Sequence, residues 1–179
     1  MYLNRVTMVK NYDFEGNPFK VTVTYQGKPL KLIEPSEIKE SVGYWRKANQ
    51  IHNWFVNNVQ DGEDDCRAYE VSKEQLEKLL DLCQRVKATA IMVDAEIHTG
   101  TTWSQKDGEV KHMEKGKKIE NAEQIDEMLP VQSGFFFGST NYDEYYMNDI
   151  DSTIEMLTKI LKHETPEGLY QYFQYRASW

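Results

Sequence analysis

The sequence predicts an α+β fold in which an antiparallel sheet is packed by about three helices and carries a protruding β-hairpin arm. Three observations lead to this prediction. Strand-like alternation occurs near both ends of the chain, amphipathic helical stripes lie between them, and a polar segment at residues 99–118 contains a hairpin turn. A parallel sheet would require regular alternation of strands and helices, which the sequence lacks.

Strands are predicted at both ends of the chain. Apolar and polar residues alternate over residues 19–25, which is the period of a half-buried strand. A turn at residues 26–29 leads to a partner strand beginning at residues 30–32, and residues 6–9 form a shorter strand. The Tyr- and Phe-rich tail, residues 169–179, alternates roughly and predicts the last strand.

Amphipathic stripes predict the three main helices. The first helix spans residues 44–59, where apolar side chains recur at steps of three or four, and Gly62 is placed to end it. The second helix follows Ser72, which can form a capping box with Gln75. The third helix begins near Tyr142 and continues an apolar stripe toward the C-terminus. Each stripe indicates one helix face buried in the core.

Residues 99–118 differ in composition from the rest of the chain. They contain few large aliphatic side chains, and their lysines outnumber their acids. Asp107 and Gly108 lie between two polar runs, which favours a hairpin turn. We therefore predict an exposed arm inserted within a single α+β domain of residues 1–179. A short helix is expected after Asn121.

The composition excludes several classes of function. With 21 Lys and Arg against 29 Asp and Glu, the net charge of −8 argues against direct binding to duplex nucleic acid. No apolar run reaches the roughly 20 residues of a membrane span. Two cysteines, Cys66 and Cys83, are too few for a disulfide framework, which indicates a cytoplasmic protein with unpaired thiols. The acidic stretches at residues 61–81 and 143–151 are interpreted as solvated faces, and the alternative is a surface that mimics nucleic acid and blocks a basic protein.

The sequence carries no pattern that assigns a catalytic residue. Residues 61–66 concentrate carboxylates without the spacing of a calcium loop, and the four histidines never pair at i, i+4. The glycine patterns of a nucleophile elbow and of a phosphate-binding loop are also missing. We therefore predict no metal site and no cofactor. Asp64 and Asp65 remain the alternative as ligands of a hydrolytic metal.

Residues 129–146 form the most unusual stretch, because six aromatic residues stand among small polar ones. One interpretation is a buried strand at residues 135–137 leading into a capped helix. The other is the wall of a ligand pocket, in which rings supply apolar area and a few polar groups orient the ligand. A phosphate near the third helix would need Arg46 or Lys47, because acidic residues already occupy the first turn of that helix.

The first helix offers a similar mixture of aromatic and polar side chains, so the predicted pocket lies between the two segments. One of these residues, His52, is equally typical of a core histidine with satisfied hydrogen bonds. The predicted ligand-binding residues are Trp45, Arg46, Asn49, His52, Gln132, Ser133, Phe137, Thr140, Asn141 and Tyr142.

Several segments resemble an uncharacterised protein family of bacteriophage and prophage genomes. They are residues 42–49 (VGYWRKAN), 61–66 (DGEDDC), 129–140 (LPVQSGFFFGST, where Val131 is not part of the resemblance) and 142–146 (YDEYY). The resemblance covers most of the chain except residues 95–116. It implies a small cytoplasmic protein made by a phage in an infected or lysogenic bacterial cell. It implies no activity, so no catalytic residues follow from it.

These observations favour a protein that acts by binding rather than by catalysis. The most concrete version is antagonism of a host defence pathway, either by sequestering a small nucleotide-like ligand or by occupying a host protein. For the ligand, Trp45 would stack on the base and Arg46 would bind a phosphate.

Two alternatives from other classes stay open. One is a small metal-dependent hydrolase or nuclease that uses Asp64, Asp65 and His52. The other is a virion or assembly component, which would form homo-oligomers.

Overall fold

The structure is a computed structural model that describes residues 1–9, 22–30, 35–104, 108–134, 138–165, 167 and 169–178. These residues form four helices and eight strands, and every strand pairing between them is antiparallel. The α+β class and the hairpin arm are therefore confirmed. Residues 135–137, where the sequence predicted a buried strand, lie outside the described residues, as does Phe137 with its predicted role.

The strands are β1 (Tyr2–Met8), β2 (Thr24–Tyr25), β3 (Lys28–Pro29), β4 (Glu37–Tyr44), β5 (Ala68–Val71), β6 (Met92–Ser104), β7 (Gly108–Ile119) and β8 (Tyr170–Arg176). The helices are α1 (Asn49–Asn58), α2 (Lys73–Thr89), α3 (Ala122–Met128) and α4 (Glu144–Leu161). None of these helices is long and apolar enough to cross a bilayer.

The main sheet has the strand order β4-β1-β8-β5. The tail strand β8 pairs with β1 from Tyr2↔Arg176 to Met8↔Tyr170, so the two ends of the chain lie side by side. The predicted strand over residues 6–9 is the end of this longer strand β1. Of the strand predicted over residues 19–25, the structure describes residues 22–25, and Thr24 and Tyr25 pair with β3.

The start of the first predicted helix is wrong. Tyr44 ends strand β4, and α1 begins at Asn49. Between them Lys47 has φ +63, a left-handed conformation that no α-helix can contain. Ala48 is fully buried although it precedes the helix. The apolar period therefore continued across residues that are buried but not helical.

Helix α2 follows the prediction closely. Ser72 Oγ accepts a hydrogen bond from Gln75 N at 3.1 Å, and Ser72 N donates to Gln75 Oε1 at 2.9 Å, which completes the capping box. Leu76, Leu79 and Cys83 on its apolar face are fully buried in the core. The helix packs against α4 on the inner side of the main sheet.

The arm is longer than predicted, since β6 and β7 pair from Met92↔Ile119 to Ser104↔Gly108. Of the predicted turn residues, Gly108 has φ +70, and Asp107 lies outside the described residues. The base of the arm is joined to the start of α4. Ile119 N donates to Tyr142 O at 2.9 Å, and Lys117 N donates to Glu144 Oε2 at 3.0 Å. The arm is therefore held beside the N-terminus of α4.

Candidate functional site

One buried amide holds the segment between α3 and α4 against α1. Asn49, only 2% exposed, donates from Nδ2 to Ser139 O at 2.9 Å and accepts at Oδ1 from Gln132 N at 3.0 Å. Asn49 was predicted as a ligand-binding residue, but both ends of its amide bind backbone. Its role is to fix the two ends of residues 132–139 next to the start of α1.

The chain just before α1 lies close to the same segment. A Cβ atom at Gly138 would lie 3.1 Å from Lys47 O, so only glycine permits this approach without a shift of the backbone. Lys47 itself holds a left-handed conformation that is rare for side chains other than glycine and asparagine. This local geometry places Arg46 and Lys47, both exposed, beside Ser139.

A cleft of about 1290 Å³ lies between the start of α1, the first turns of α4 and the arm. Its lining includes Arg46 and Lys47 from the chain before α1, Asp143 and Asp149 from the start of α4, and His98 from the arm. A neighbouring cavity of about 840 Å³ shares His98 and Asp143 with it. Two cations and two carboxylates thus line one concave surface.

Asp143 has one committed carboxylate oxygen and one without a partner. Its Oδ1 caps α4 by accepting from Tyr145 N at 2.9 Å and from Tyr146 N at 3.3 Å. Its Oδ2 is buried and has no hydrogen-bond partner among the described residues, and Asp143 as a whole is 2% exposed. Burial raises the pKa of Asp143, although the two amides oppose the rise.

Asp149 is a second carboxylate in the wall of the cleft. Its Oδ2 accepts a hydrogen bond from Gln50 Nε2 at 3.2 Å. Burial raises the pKa of Asp149 to about 6, the bond from Gln50 opposes this, and the negative charge of Asp143 adds to it. Carboxylates perturbed by burial and by a neighbouring negative charge in a cleft are typical of functional sites.

Trp45 does not line this cleft. It is 3% exposed, and its indole Nε1 donates to Thr153 Oγ1 at 2.8 Å. Phe55 and Tyr175 contact the indole edge to face, with ring centroids 5.6 and 6.3 Å away. The ring is part of the core, so it cannot stack on a ligand base while it keeps these contacts.

His52 fits the alternative interpretation of a satisfied core histidine. It is fully buried, with Nδ1 2.7 Å from the Tyr175 hydroxyl and Nε2 2.9 Å from Asp64 Oδ1. Burial lowers the pKa of His52, and the negative charge of Asp64 only partly offsets this. A neutral imidazole that donates to Asp64 and accepts from Tyr175 satisfies this arrangement.

The carboxylates of the alternative metal site are held by protein groups. Asp64 bonds to His52, and Asp65 accepts from Arg67 N at 2.8 Å and from the Tyr69 hydroxyl at 3.0 Å. In the part of the chain that the structure describes, no group of three or more His, Cys, Asp or Glu side chains is placed to hold a metal ion.

The remaining predicted residues occupy the segment before α4. Thr140 and Asn141 are exposed and line the cleft, whereas Ser133 is exposed away from it. Gln132 is half-buried, and its Oε1 has no hydrogen-bond partner among the described residues. Tyr142 lines the neighbouring cavity, donates its hydroxyl hydrogen to Asp126 and accepts from Val131 N at 3.1 Å.

Sequence reasoning missed the acidic side of the cleft, namely Asp143 and Asp149, and the contribution of His98 from the arm. The only sequence signal for Asp143 was its place at a helix start, where acidic residues are common as caps. Comparisons with family models, with curated proteins and with solved structures gave no match to this chain. The function is therefore inferred from the cleft itself.

Proposed function

We propose that this protein binds a small nucleotide-like anion, without catalysis, in the cleft between α1, α4 and the arm. The observation that carries the proposal is the pair Arg46 and Lys47, which line the cleft and are exposed. Neither side chain forms an ion pair or hydrogen bond with another described residue. Two cations left available in a concave site favour an anionic ligand.

A phosphate is the anion that suits this pair best. The guanidinium of Arg46 presents parallel N–H donors that match two phosphate oxygens, and Lys47 adds a second positive charge. Asp143 and Asp149 line the same cleft and repel phosphate, so the phosphate is proposed to lie beside Arg46 and Lys47.

An exposed ring is available for the base. Tyr145 is 48% exposed and lines the cleft, so its face can stack on a heterocycle. Base–aromatic stacking contributes about 1–3 kcal/mol in proteins that bind single-stranded nucleic acids. Tyr145 thus takes the stacking role that the sequence had suggested for Trp45, whose ring is packed in the core.

A binding protein without catalysis acts by lowering the free concentration of its ligand. Combined with the resemblance to a phage and prophage family, this supports sequestration of a host signalling nucleotide as the way in which a host pathway is antagonised. Occupying a host protein is the other version of the same proposal, and its test is a pull-down from host lysate.

Arg46→Ala and Lys47→Asn are each expected to weaken nucleotide binding about 10- to 100-fold. Charge-assisted hydrogen bonds contribute about 1.5–3 kcal/mol each, and asparagine tolerates the left-handed backbone at position 47. Isothermal titration calorimetry with a panel of mono- and dinucleotides measures the effect. Native mass spectrometry of the purified protein identifies any retained nucleotide.

Lys78→Ala is the matched control, because Lys78 is an exposed lysine on α2 that does not line the cleft. It is expected to bind like the wild type. Equal affinity of the two cleft variants and the wild type, or no binding of any nucleotide at millimolar concentration, would show that the proposal is wrong.

A further inference from the structure

We propose that β4 is the edge through which two copies of this protein pair, forming one continuous antiparallel sheet across a two-fold axis at Ile38. β4 is an outer strand of the main sheet, and among the described residues only β1 pairs with it. It has eight residues, whereas β5 at the other edge has four. A long exposed edge strand is a template for pairing with another chain. This inference does not depend on the proposed function.

The register of β4 on β1 shows which backbone groups face the open edge. Val9 N donates to Ser36 O at 2.9 Å, one step beyond the pair formed by Met8 and Glu37. Hydrogen-bonded and non-hydrogen-bonded pairs alternate along an antiparallel ladder. The pair of Met8 and Glu37 is therefore non-hydrogen-bonded, and the backbone N–H and C=O groups of Glu37 point away from β1.

The same alternation continues along β4. Lys39 and Ser41 also lie in non-hydrogen-bonded pairs with β1, so their N–H and C=O groups face the open edge. The register shift of this pairing lies between Leu3 and Asn4 of β1, beyond these residues. The regular part of β4 thus offers the backbone groups of Glu37, Lys39 and Ser41 to another strand, and all three residues are exposed.

The charges on β4 select one two-fold register within residues 37–40. An axis at Glu37, Lys39 or Glu40 would place that charged residue directly opposite its own copy, and like charges directly opposite destabilise a strand pair. An axis at Ile38 instead sets Glu37 of each copy opposite Lys39 of the other. Opposite charges across neighbouring strands stabilise the pair.

Both charged side chains are available for this pairing. Glu37 forms no hydrogen bond or ion pair with another described residue. Lys39 Nζ donates one hydrogen bond to Gln174 Oε1, which leaves two of its three N–H donors. Each Glu37 can therefore accept a hydrogen bond from Lys39 of the second copy.

The same register covers an apolar side chain that the single copy leaves in water. Ile38 lies opposite Thr7 of β1 and is 42% exposed. At the two-fold axis Ile38 meets its own copy in a non-hydrogen-bonded pair, where opposing side chains lie closest. The two isoleucines therefore shield each other from solvent.

Analytical ultracentrifugation at physiological ionic strength tests the association. Small interfaces are weak, so we expect a monomer–dimer equilibrium with a Kd of about 10–100 µM. Lys39→Glu turns two attractive pairs into repulsive ones and is expected to raise this Kd at least about 10-fold. Lys78→Glu makes the same charge change at an exposed position of α2 and is expected to leave the Kd unchanged. A protein that stays monomeric up to about 500 µM, or a dimer that Lys39→Glu does not weaken, would overturn the inference.

A charge exchange tests whether the two side chains meet directly. Glu37→Lys combined with Lys39→Glu restores opposite charges across the axis with their signs exchanged. We expect this double variant to dimerise like the wild type, although Lys39→Glu alone does not. A general defect of the strand caused by one substitution would not be repaired by the other. Lack of recovery would contradict the register at Ile38.

A disulfide across the axis tests the register at single residues. Ile38→Cys is made together with Cys66→Ser, because Cys66 is an exposed free thiol. The Cα atoms of a non-hydrogen-bonded pair lie about 4.5 Å apart, within disulfide range, so mild oxidation is expected to give a covalent dimer. Ser41→Cys with Cys66→Ser is the control, because the two copies of this position would lie about 20 Å apart. Equal cross-linking at both positions, or none at position 38, would show that the register is wrong.

Discussion

Replacing Trp45 by alanine is expected to lower the free energy of unfolding by about 3–5 kcal/mol, the range for loss of a buried aromatic side chain. The indole is 3% exposed and contacts the rings of Phe55 and Tyr175. It also donates a hydrogen bond to Thr153 at 2.8 Å. Truncation removes these contacts together and leaves a cavity between β8, α1 and α4. Urea denaturation followed by circular dichroism measures the change.

Two variants separate burial from the hydrogen bond. Trp45→Phe keeps a ring but loses the N–H donor, so a smaller loss of about 1–2 kcal/mol is expected. Trp103→Ala is the matched tryptophan control, because Trp103 on the arm is 79% exposed and its removal is expected to change stability by no more than about 0.5 kcal/mol. Equal effects of Trp45→Ala and Trp103→Ala would contradict the core position of Trp45.

The same experiment decides between two roles for Trp45. If the ring stacked on a ligand, its loss would weaken binding and leave stability nearly unchanged. Because Trp45 lies in the core, we expect its replacement to lower stability strongly and to change ligand affinity little. Loss of ligand affinity at wild-type stability would restore the original prediction from the sequence.

The parts of the fold that sequence predicted are those set by local chemistry. Ser72 and Gln75 form a capping box over neighbouring residues, and the apolar stripe that follows depends only on helical geometry. The alternating tail became β8, and the polar segment with Gly108 became the arm. Each of these signals lies within a short stretch of chain, so no knowledge of distant contacts was required.

The predicted start of α1 was wrong because burial and helical periodicity are separate properties. Trp45 and Ala48 are buried by packing against elements distant in sequence, and Trp45 bonds to a residue 108 positions away. Their apolar character therefore extended the stripe across a segment where Lys47 is left-handed. The same error placed Trp45 and Arg46 in one site, whereas only Arg46 lines the cleft.

The carboxylate side of the site could not be predicted for a related reason. Residues 143–151 looked like a solvated acidic face, since acidic residues on a helix usually point to water. The approach of Gln50 from α1 and of the arm from the other side buries Asp149 and Asp143 in part or in full. Such tertiary contacts leave no local trace in the sequence.

Asp149→Asn is expected to stabilise the free protein at neutral pH, by about 1–3 kcal/mol at pH 7.5. Burial raises the pKa of Asp149 from 3.8 to about 6, and each unit corresponds to about 1.4 kcal/mol. The folded state therefore binds the proton more tightly than the unfolded state does. Stability from this group is greatest below pH 3.8, declines as pH rises toward 6, and is absent above that value.

The difference in stability between Asp149→Asn and the wild type is thus expected to be largest at pH 7.5 and to vanish near pH 4. Thermal unfolding of both proteins across this range measures it, and contributions from other titrating groups largely cancel in the difference. Asp151→Asn is the control, because Asp151 is an exposed residue of α4 paired with Lys87, and such pairs contribute at most about 1 kcal/mol. A pH-independent difference would show that Asp149 is not desolvated. An Asp149→Asn protein that is more stable yet binds nucleotides more weakly would connect the cost of the buried charge directly to ligand recognition, since residues that destabilise the free protein are typical of binding sites.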